Sequence, residues 1–354
     1  MRRYWRYVFS LSMAIVLALT LGIGAVQAAK KKSTIKIPAA NHATFMVMPE
    51  LPKNNLGGGQ LGYFNLRVKP HQRRTVRIKV YNPTDRTINI YGQVQDATTN
   101  DNASVDYLGS RANDRKLLKQ PGSQLVSVPK KTSLPAGATK HITIKIQTAG
   151  RFEGTKATAI NLSANQFQQQ SAVKNAYRYA IGLILNGQSI HKKNYKQLQS
   201  PAIKTRFTKA KQAAISVKLN NPDSMYLEQA DIKVKLQNQK WHFIQYNATV
   251  KNGKIAPNTS FYTDLLLGGK RLVSGTYSMT LTNHNNRYRQ TLHKQVLITA
   301  SQAKYINRLN AAYRRNRNWI LSGFALILII IGGSSFQIHR VKKRKRDLDA
   351  KNGQ

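Results

Sequence analysis

Four Ser-x-x-Lys spacings occur in the chain, at Ser33/Lys36, Ser127/Lys130, Ser171/Lys174 and Ser301/Lys304. On a helix this spacing sets a lysine one turn from a serine, where it can activate the hydroxyl for acyl transfer on wall peptides. Lysine is so common in this chain that several matches arise by chance, and neither Ser-Asp-Asn nor Lys-Thr-Gly accompanies them. The absence of cysteine excludes thiol nucleophiles of the sortase or papain kind. Eight histidines are scattered without a His-Glu-x-x-His pair, so His71, His141 and His242 read as strand or turn residues rather than zinc ligands. With 13 Asp and Glu in all, neither a catalytic carboxylate pair nor a calcium cage is expected. Gly57-Gly58-Gly59 precedes no phosphate-binding helix and reads as a loop. The chemistry expected is recognition, with no cofactor and no metal, rather than catalysis.

What recognition means here is set by charge. The chain carries 57 Lys and Arg, for a formal net charge of +44. Such an excess attracts polyanions, with a reach of ~8–10 Å at physiological ionic strength. In a cytosolic protein the partner would be nucleic acid, but the ends of the chain argue for export. Outside a cell the abundant polyanions are wall polymers with phosphodiester backbones, acidic glycans and membrane surfaces. The alternative is a generally basic surface suited to an acidic habitat, with no specific ligand.

At the C-terminal end, Trp319 to Ile338 reads WILSGFALILIIIGGSSFQI. About 20 uncharged residues at ~1.5 Å each span a hydrocarbon core of ~30 Å. The competing reading is a buried helix of a soluble protein. Against it, the cluster Arg340, Lys342, Lys343, Arg344, Lys345 and Arg346 follows at once, as on the cytoplasmic side of a membrane, and Trp319 suits an interfacial aromatic belt. At the N-terminal end, Arg2, Arg3 and Arg6 precede an apolar run from Val8 to Val26, and Val26-Gln27-Ala28 offers a cleavage site. A signal peptide over 1–28 is expected, with an uncleaved anchor as the alternative. Either way residues from about 29 to 318 lie outside, and a short basic tail, 339–354, lies in the cytoplasm. An exported segment of this length without cysteine fits a bacterium whose wall lies directly outside its membrane.

Between the ends, strand signals dominate. In Thr75–Val80 the residues Val76, Ile78 and Val80 alternate with Arg77 and Lys79, which puts the apolar set on one face and the cations on the other. Similar runs occur at Leu61–Val68, Thr87–Val94, His141–Ile146, Thr155–Ser163, Tyr177–Leu185, Ile203–Phe207, Ile215–Leu219, Ile232–Leu236, Trp241–Thr249, Phe261–Leu267, Tyr277–Leu281 and Leu292–Ile298. Asn-Pro, Pro-Gly, Asn-Gly and Gly-Gly turns separate them. A short internal repeat pairs Val76–Asp85 with Ile215–Ser224, each an alternating strand stopped by Asn-Pro and followed later by a proline turn. The fold class expected is all-β: two tandem immunoglobulin-like sandwiches, then one transmembrane helix. The organisation is a basic lead-in at 29–44, a first sandwich at 45–165, a second at 166–300, a basic juxtamembrane stalk at 301–318 and the helix at 319–338. Tyr177–Leu185 offers an alternative, closing the first sheet and moving the seam to about 190–200. Arg73, Arg74, Arg77 and Lys79 are the candidate contacts to wall polymer.

Several ordered motifs resemble the WxL-interacting protein family of Gram-positive cell surfaces. Phe45-Met46-Val47-Met48-Pro49, Gly62-Tyr63-Phe64-Asn65-Leu66, Val80-Tyr81-Asn82-Pro83-Thr84-Asp85, Ala97-Thr98-Thr99-Asn100 with Tyr107, and Phe152-Glu153-Gly154 resemble its peptidoglycan-binding domain. Tyr179-Ala180-Ile181-Gly182, Leu219-Asn220-Asn221-Pro222, Ala256-Pro257-Asn258-Thr259-Ser260-Phe261 and Ser274-Gly275-Thr276-Tyr277 resemble its host-binding domain. Asp101-Asn102 stands where a glycine is expected, and no tryptophan stands near Arg287–Gln290. The resemblance implies a membrane-anchored, non-enzymatic surface scaffold or adhesin. Its partners would be peptidoglycan, WxL-domain surface proteins and host extracellular proteins, with membrane lipid around the terminal helix and no nucleic acid. A donor-strand chaperone for surface polymers is the alternative of a different class.

Overall fold

The structure, a computed structural model, describes residues 45–164, 178–208 and 210–351. The expected signal peptide and lead-in lie outside the described residues. Two sandwiches of mainly antiparallel sheets follow one another. In the first, β1 (Met46–Glu50), β3 (Arg73–Tyr81), β9 (Thr139–Gln147) and β7 (Val126–Ser127) form one sheet in the order β1-β3-β9-β7. Facing it is β2-β11-β10-β4-β8, built from β2 (Phe64–Arg67), β4 (Ile88–Asp96), β8 (Lys131–Leu134), β10 (Thr155–Ala164) and β11 (Arg178–Asn186). A two-stranded finger, β5 (Thr98–Thr99) with β6 (Val105–Asp106), projects from the end of β4.

The second sandwich packs β12-β13-β16 against β15-β14-β17-β18. Its strands are β12 (Gln199–Phe207), β13 (Ala213–Asn221), β14 (Leu227–Asn238), β15 (Gln245–Ile255), β16 (Thr259–Leu266), β17 (Gly275–His284) and β18 (Arg289–Ile298). Alternation does the sorting. In β3 the residues Val76, Ile78 and Val80 are buried between exposed or half-exposed polar neighbours, and in β14 Ile232, Val234 and Leu236 are buried between lysines. Each fully buried aliphatic or aromatic side chain contributes about 1.5–3 kcal/mol. The two cores are separate, one around Phe64, Ile78 and Ile160, the other around Val217, Phe261 and Tyr277.

The internal repeat is a shared clip. Asn82 and Asn221 are both fully buried at the end of a strand before proline. The Asn82 amide donates to the carbonyls of Arg86 (2.8 Å), Leu134 (3.1 Å) and Pro135 (2.9 Å). The Asn221 amide donates to Met225 and Ala256, both at 2.9 Å. In each sandwich one asparagine thus ties the Asn-Pro turn to the later proline turn through carbonyls of both.

The seam differs from a division at 165. Strand β11 pairs along its length with β10 and in parallel with β2, and the Tyr179 hydroxyl donates to the Phe45 carbonyl at 2.9 Å. The chain therefore completes the first sandwich before crossing over between Asn186 and Gln199. The expected stalk is also divided. Helix α1 (Ala300–Leu309) starts from a Thr299–Gln302 capping box and packs Ala303 and Ile306 into the second core. Helix α2 (Ala311–Lys351) begins after one intervening residue, Asn310, and every side chain from Arg314 to Arg344 is exposed. That exposure rules out burial in the core of this chain, and the helix is long and apolar enough to cross a membrane.

Asn82→Ala removes three hydrogen bonds from a fully buried site and is expected to lower the unfolding free energy by about 2–3 kcal/mol. Denaturant unfolding of the variant checks it; an unchanged midpoint would contradict the clip.

Candidate functional site

The two sandwiches meet through the finger of the first. Within it Asn100 caps the turn, its Oδ1 accepting the backbone N–H of Asn102 (2.9 Å) and Ser104 (3.0 Å). This holds Ala103 at φ +51°, fully buried among side chains of the second core. The Ala103 carbonyl accepts from the Lys254 N–H at 2.8 Å. Beside it a ring of hydrogen bonds closes. Ala256 N–H donates to Thr99 Oγ1 (3.0 Å), and Thr259 Oγ1 donates back to the Ala256 carbonyl (2.9 Å). The Thr99 hydroxyl is therefore the donor in its 2.7 Å bond to Thr259.

Asp101, where a glycine was expected, is the centre of an ion network. It accepts from Arg111 (2.6 Å) and the Tyr262 N–H (3.0 Å) on one oxygen, and from Arg206 (2.9 Å) and Arg111 (2.5 Å) on the other. Arg206 also reaches Asp264 at 3.0 Å, and Ser216 donates to the same carboxylate. Burial alone would raise the Asp101 carboxyl, but the Arg111 and Arg206 hydrogen bonds outweigh it and hold it below the usual range. Arg206, pulled down by burial, ends above its ordinary value through Asp101 and Asp264. Lys218 adds a second crossing to Asp114 at 2.9 Å.

Gly154, of the Phe152-Glu153-Gly154 motif, allows the closest approach. It lies at φ +75°, and a Cβ there would sit 2.2 Å from the Ser224 carbonyl. Thr155 N–H donates to that same carbonyl at 2.6 Å, so the turn after Asn221-Pro222 is stitched to the first sandwich.

Alongside this seam runs a groove of about 740 Å³, walled by both sandwiches. That size suits a small ligand or a polymer segment. Its tyrosines are Tyr63 and Tyr107 from the first sandwich, Tyr226 from the second and Tyr195 from the crossover. The Tyr107 and Tyr226 hydroxyls share one hydrogen bond of 2.8 Å, and burial pushes both above their ordinary range, Tyr226 well above. Lys254 lies over the Tyr226 ring and pairs with Glu228 at 2.7 Å; that pairing outweighs burial and raises the amine. Arg67 and Arg287 also line the groove. Among the described residues neither has a carboxylate partner, and Arg287 instead bonds the Tyr195 hydroxyl at 3.3 Å and lies over its ring. Flat aromatic faces with two uncompensated guanidiniums suit a ligand that combines rings or apolar groups with carboxylate or phosphate.

The strand cations lie elsewhere. Arg73, Arg77 and Lys79 share the outer face of β3, whereas Arg74 has the parity of the core side and bonds Asn54 at 2.7 Å. Arg77 is occupied by Glu50 (2.9 Å), which also takes His141 at 2.8 Å. This face is the outer side of the β1-β3-β9-β7 sheet. Trp319 and Ile338 are exposed on α2, as are Arg340, Lys342, Lys343 and Arg344; Lys345 and Arg346 continue the helix. Of the Ser-x-x-Lys spacings, Ser33/Lys36 and Ser171/Lys174 lie outside the described residues. Ser127 is on β7, and Ser301 Oγ in α1 bonds Thr299 Oγ1 at 2.9 Å. Among the described residues no His, Asp and Glu cluster could hold a metal ion. The groove was not legible in the sequence, because its residues come from separated segments of both sandwiches, and Arg67, Tyr195, Tyr226, Lys254 and Arg287 belong to none of the family-like motifs.

Two family matches cover this architecture. A model described as WxL Interacting Protein, peptidoglycan binding domain, matches residues 45–164, and its host binding domain counterpart matches residues 168–308. The chain belongs to the WxL-interacting protein family. The two family domains divide the chain before β11, whereas strand pairing places β11 in the first sandwich. No curated protein matches the chain. Among solved structures it is similar to the YadV chaperone, at 11% identity and a TM-score of 0.29, over 72% of this chain and 100% of that one. It is also similar to the CsuC–CsuE chaperone–tip adhesin complex of Acinetobacter baumannii, at 11% identity and 0.31, over 71% and 98%. A third is the E. coli chaperone DraB, at 14% identity and 0.26, over 66% and 94%.

The sign of the Asp101 shift fixes a pH dependence. A carboxylate held below its unfolded value of ~3.9 stabilises the folded state above that pH, and the contribution fades as pH falls through the lower folded value. Asp101→Asn is expected to lower stability by about 1–2 kcal/mol at neutral pH. Unfolding curves at a series of pH values should show the gap between variant and parent narrowing below about pH 4; a gap unchanged at pH 3 would contradict it.

Proposed function

We propose that this WxL-interacting protein is a non-enzymatic scaffold, anchored by α2, that grips the wall and holds partner proteins at a fixed attitude above the membrane. The family's two domains, one peptidoglycan-binding and one host-binding, supply the partner classes. WxL-domain proteins and host surface proteins are the expected protein partners, recruited by the second sandwich. The large N-terminal part lies outside the cell and the basic end of α2 inside, with the arginines and lysines after Ile338 at the cytoplasmic face.

The observation that carries this reading is the groove along a bonded seam. A wall segment lying there touches both sandwiches at once, Arg67 from the first and Arg287 from the second. Its carboxylates or phosphates would meet the guanidiniums, and its sugar rings the tyrosine faces. Arg73, Arg77 and Lys79, on the outer face of β3, steer polyanions at long range and hold them less specifically.

Sedimentation of the purified full chain with isolated peptidoglycan tests the proposal. Arg67→Ser with Arg287→Ser is expected to weaken binding at least tenfold, since two charge-assisted contacts are worth about 1.5–3 kcal/mol each. Arg73→Ser with Lys79→Ser should weaken it less and mainly reduce its salt dependence. The opposite ranking would place the wall site on the outer strand face and refute the groove.

A further inference from the structure

The alternation of Trp241 and Phe243 with His242 predicts a strand from Trp241, but β15 starts only at Gln245. Asn238 breaks the ladder: its Oδ1 accepts the N–H groups of Lys240 (3.0 Å) and Trp241 (2.8 Å), turning the chain into a hairpin tip. The tip leaves two large aromatic side chains in solvent, Phe243 at 78% exposure and Trp241 at 47%, with ring centroids 6.1 Å apart. Nothing in the packing of either sandwich requires them.

Register fixes where this tip points. Asn238 pairs with Tyr277 at the start of β17, and Gly275 pairs with Ile298 at the end of β18. Thr299 then caps α1. The tip therefore lies at the end of the sheet from which the chain departs for α2, while the first sandwich is bonded to the opposite end, at Lys254. The loop between β16 and β17 is at the same end. There Asn310 Nδ2 donates to the Gly268 carbonyl at 3.0 Å while its Oδ1 accepts the Tyr313 N–H, capping α2. Asn316 lies against Gly269. From Asn316 to Trp319, three residues on, is about 4.5 Å along a helix axis. This end of the sandwich is thus held close to the level at which the apolar run of α2 begins. Exposed Lys240, Lys270 and Arg271 surround it, and Lys240 lies over the Trp241 ring at 5.5 Å.

We infer that the second sandwich rests on the bilayer that α2 crosses, with Trp241 and Phe243 inserted among the lipid headgroups and Lys240, Lys270 and Arg271 against anionic phosphate. Exposed aromatic side chains ringed by cations are the composition that partitions to that layer. The contact would fix the tilt of the sandwiches above the membrane, which a single helix end does not. This rests on the proposed anchoring by α2, and the test separates the two.

The chain has no cysteine, so single thiols can carry an environment-sensitive fluorophore. His242→Cys places it beside both aromatics and leaves them intact. Ile327→Cys reports on α2, and Thr75→Cys on the distant first sandwich. The full chain is reconstituted in phosphatidylcholine vesicles containing phosphatidylglycerol, with doxyl quenchers at shallow or deep acyl positions. The expected result is quenching of the 242 label by the shallow quencher, of the 327 label by the deep one, and of the 75 label by neither. Trp241→Ser with Phe243→Ser should abolish quenching at 242 and leave 327 unchanged. A quenched 327 label with an unquenched 242 label would overturn the docking and keep the anchor. Absence of quenching at both would overturn the anchor and the docking with it.

Discussion

The finger from Ala97 to Asp106 turns two modules into one body. Ala103 is seated in a core that belongs to the other sandwich, and Asp101 beside it joins Arg111 of its own side to Arg206 across the seam. Neither part would suffice. A buried alanine contributes little area, and a partly exposed ion pair is worth little by itself. Together with the Thr99–Thr259–Ala256 ring they fix orientation as well as proximity. The groove depends on this, because its walls come from both sides.

Charge acts at two ranges in such a molecule. The net charge of +44 draws polyanions toward any part of the surface. Short-range recognition needs cations that are not already answered, held beside groups that can make contact. On the outer face of β3, Glu50 answers Arg77. In the groove, Arg67 and Arg287 remain available next to tyrosine rings. The difference separates attraction from binding, and composition alone could not display it.

The sheet architecture was legible because period-2 alternation is a local signal: β3, β9, β13 and β17 lie where the apolar residues alternate. The repeated Asn-Pro stops were legible too, since proline ends a ladder wherever it stands. What the sequence hid was non-local. Strand β11 has the same pattern whether it opens the second sandwich or closes the first, and only its pairing with β2 and β10 decides. Trp241 and Phe243 alternate like a strand, yet the Asn238 side chain takes the N–H groups that a ladder would need. The stretch 301–318 is basic enough to suggest a juxtamembrane stalk throughout. Its first part, helix α1, nevertheless buries Ala303 and Ile306 against the second core. The candidate site was the least legible part, since Arg67 and Arg287 meet only through the seam.

The most direct test of the account is the distance distribution between spin labels at Thr75→Cys and Lys235→Cys, one on the exposed face of each sandwich, measured by pulsed electron resonance on the otherwise cysteine-free full chain. A bonded seam predicts one narrow distance that persists when peptidoglycan is added. A broad distribution would mean that the sandwiches move as beads on a tether, and would contradict a groove built from both.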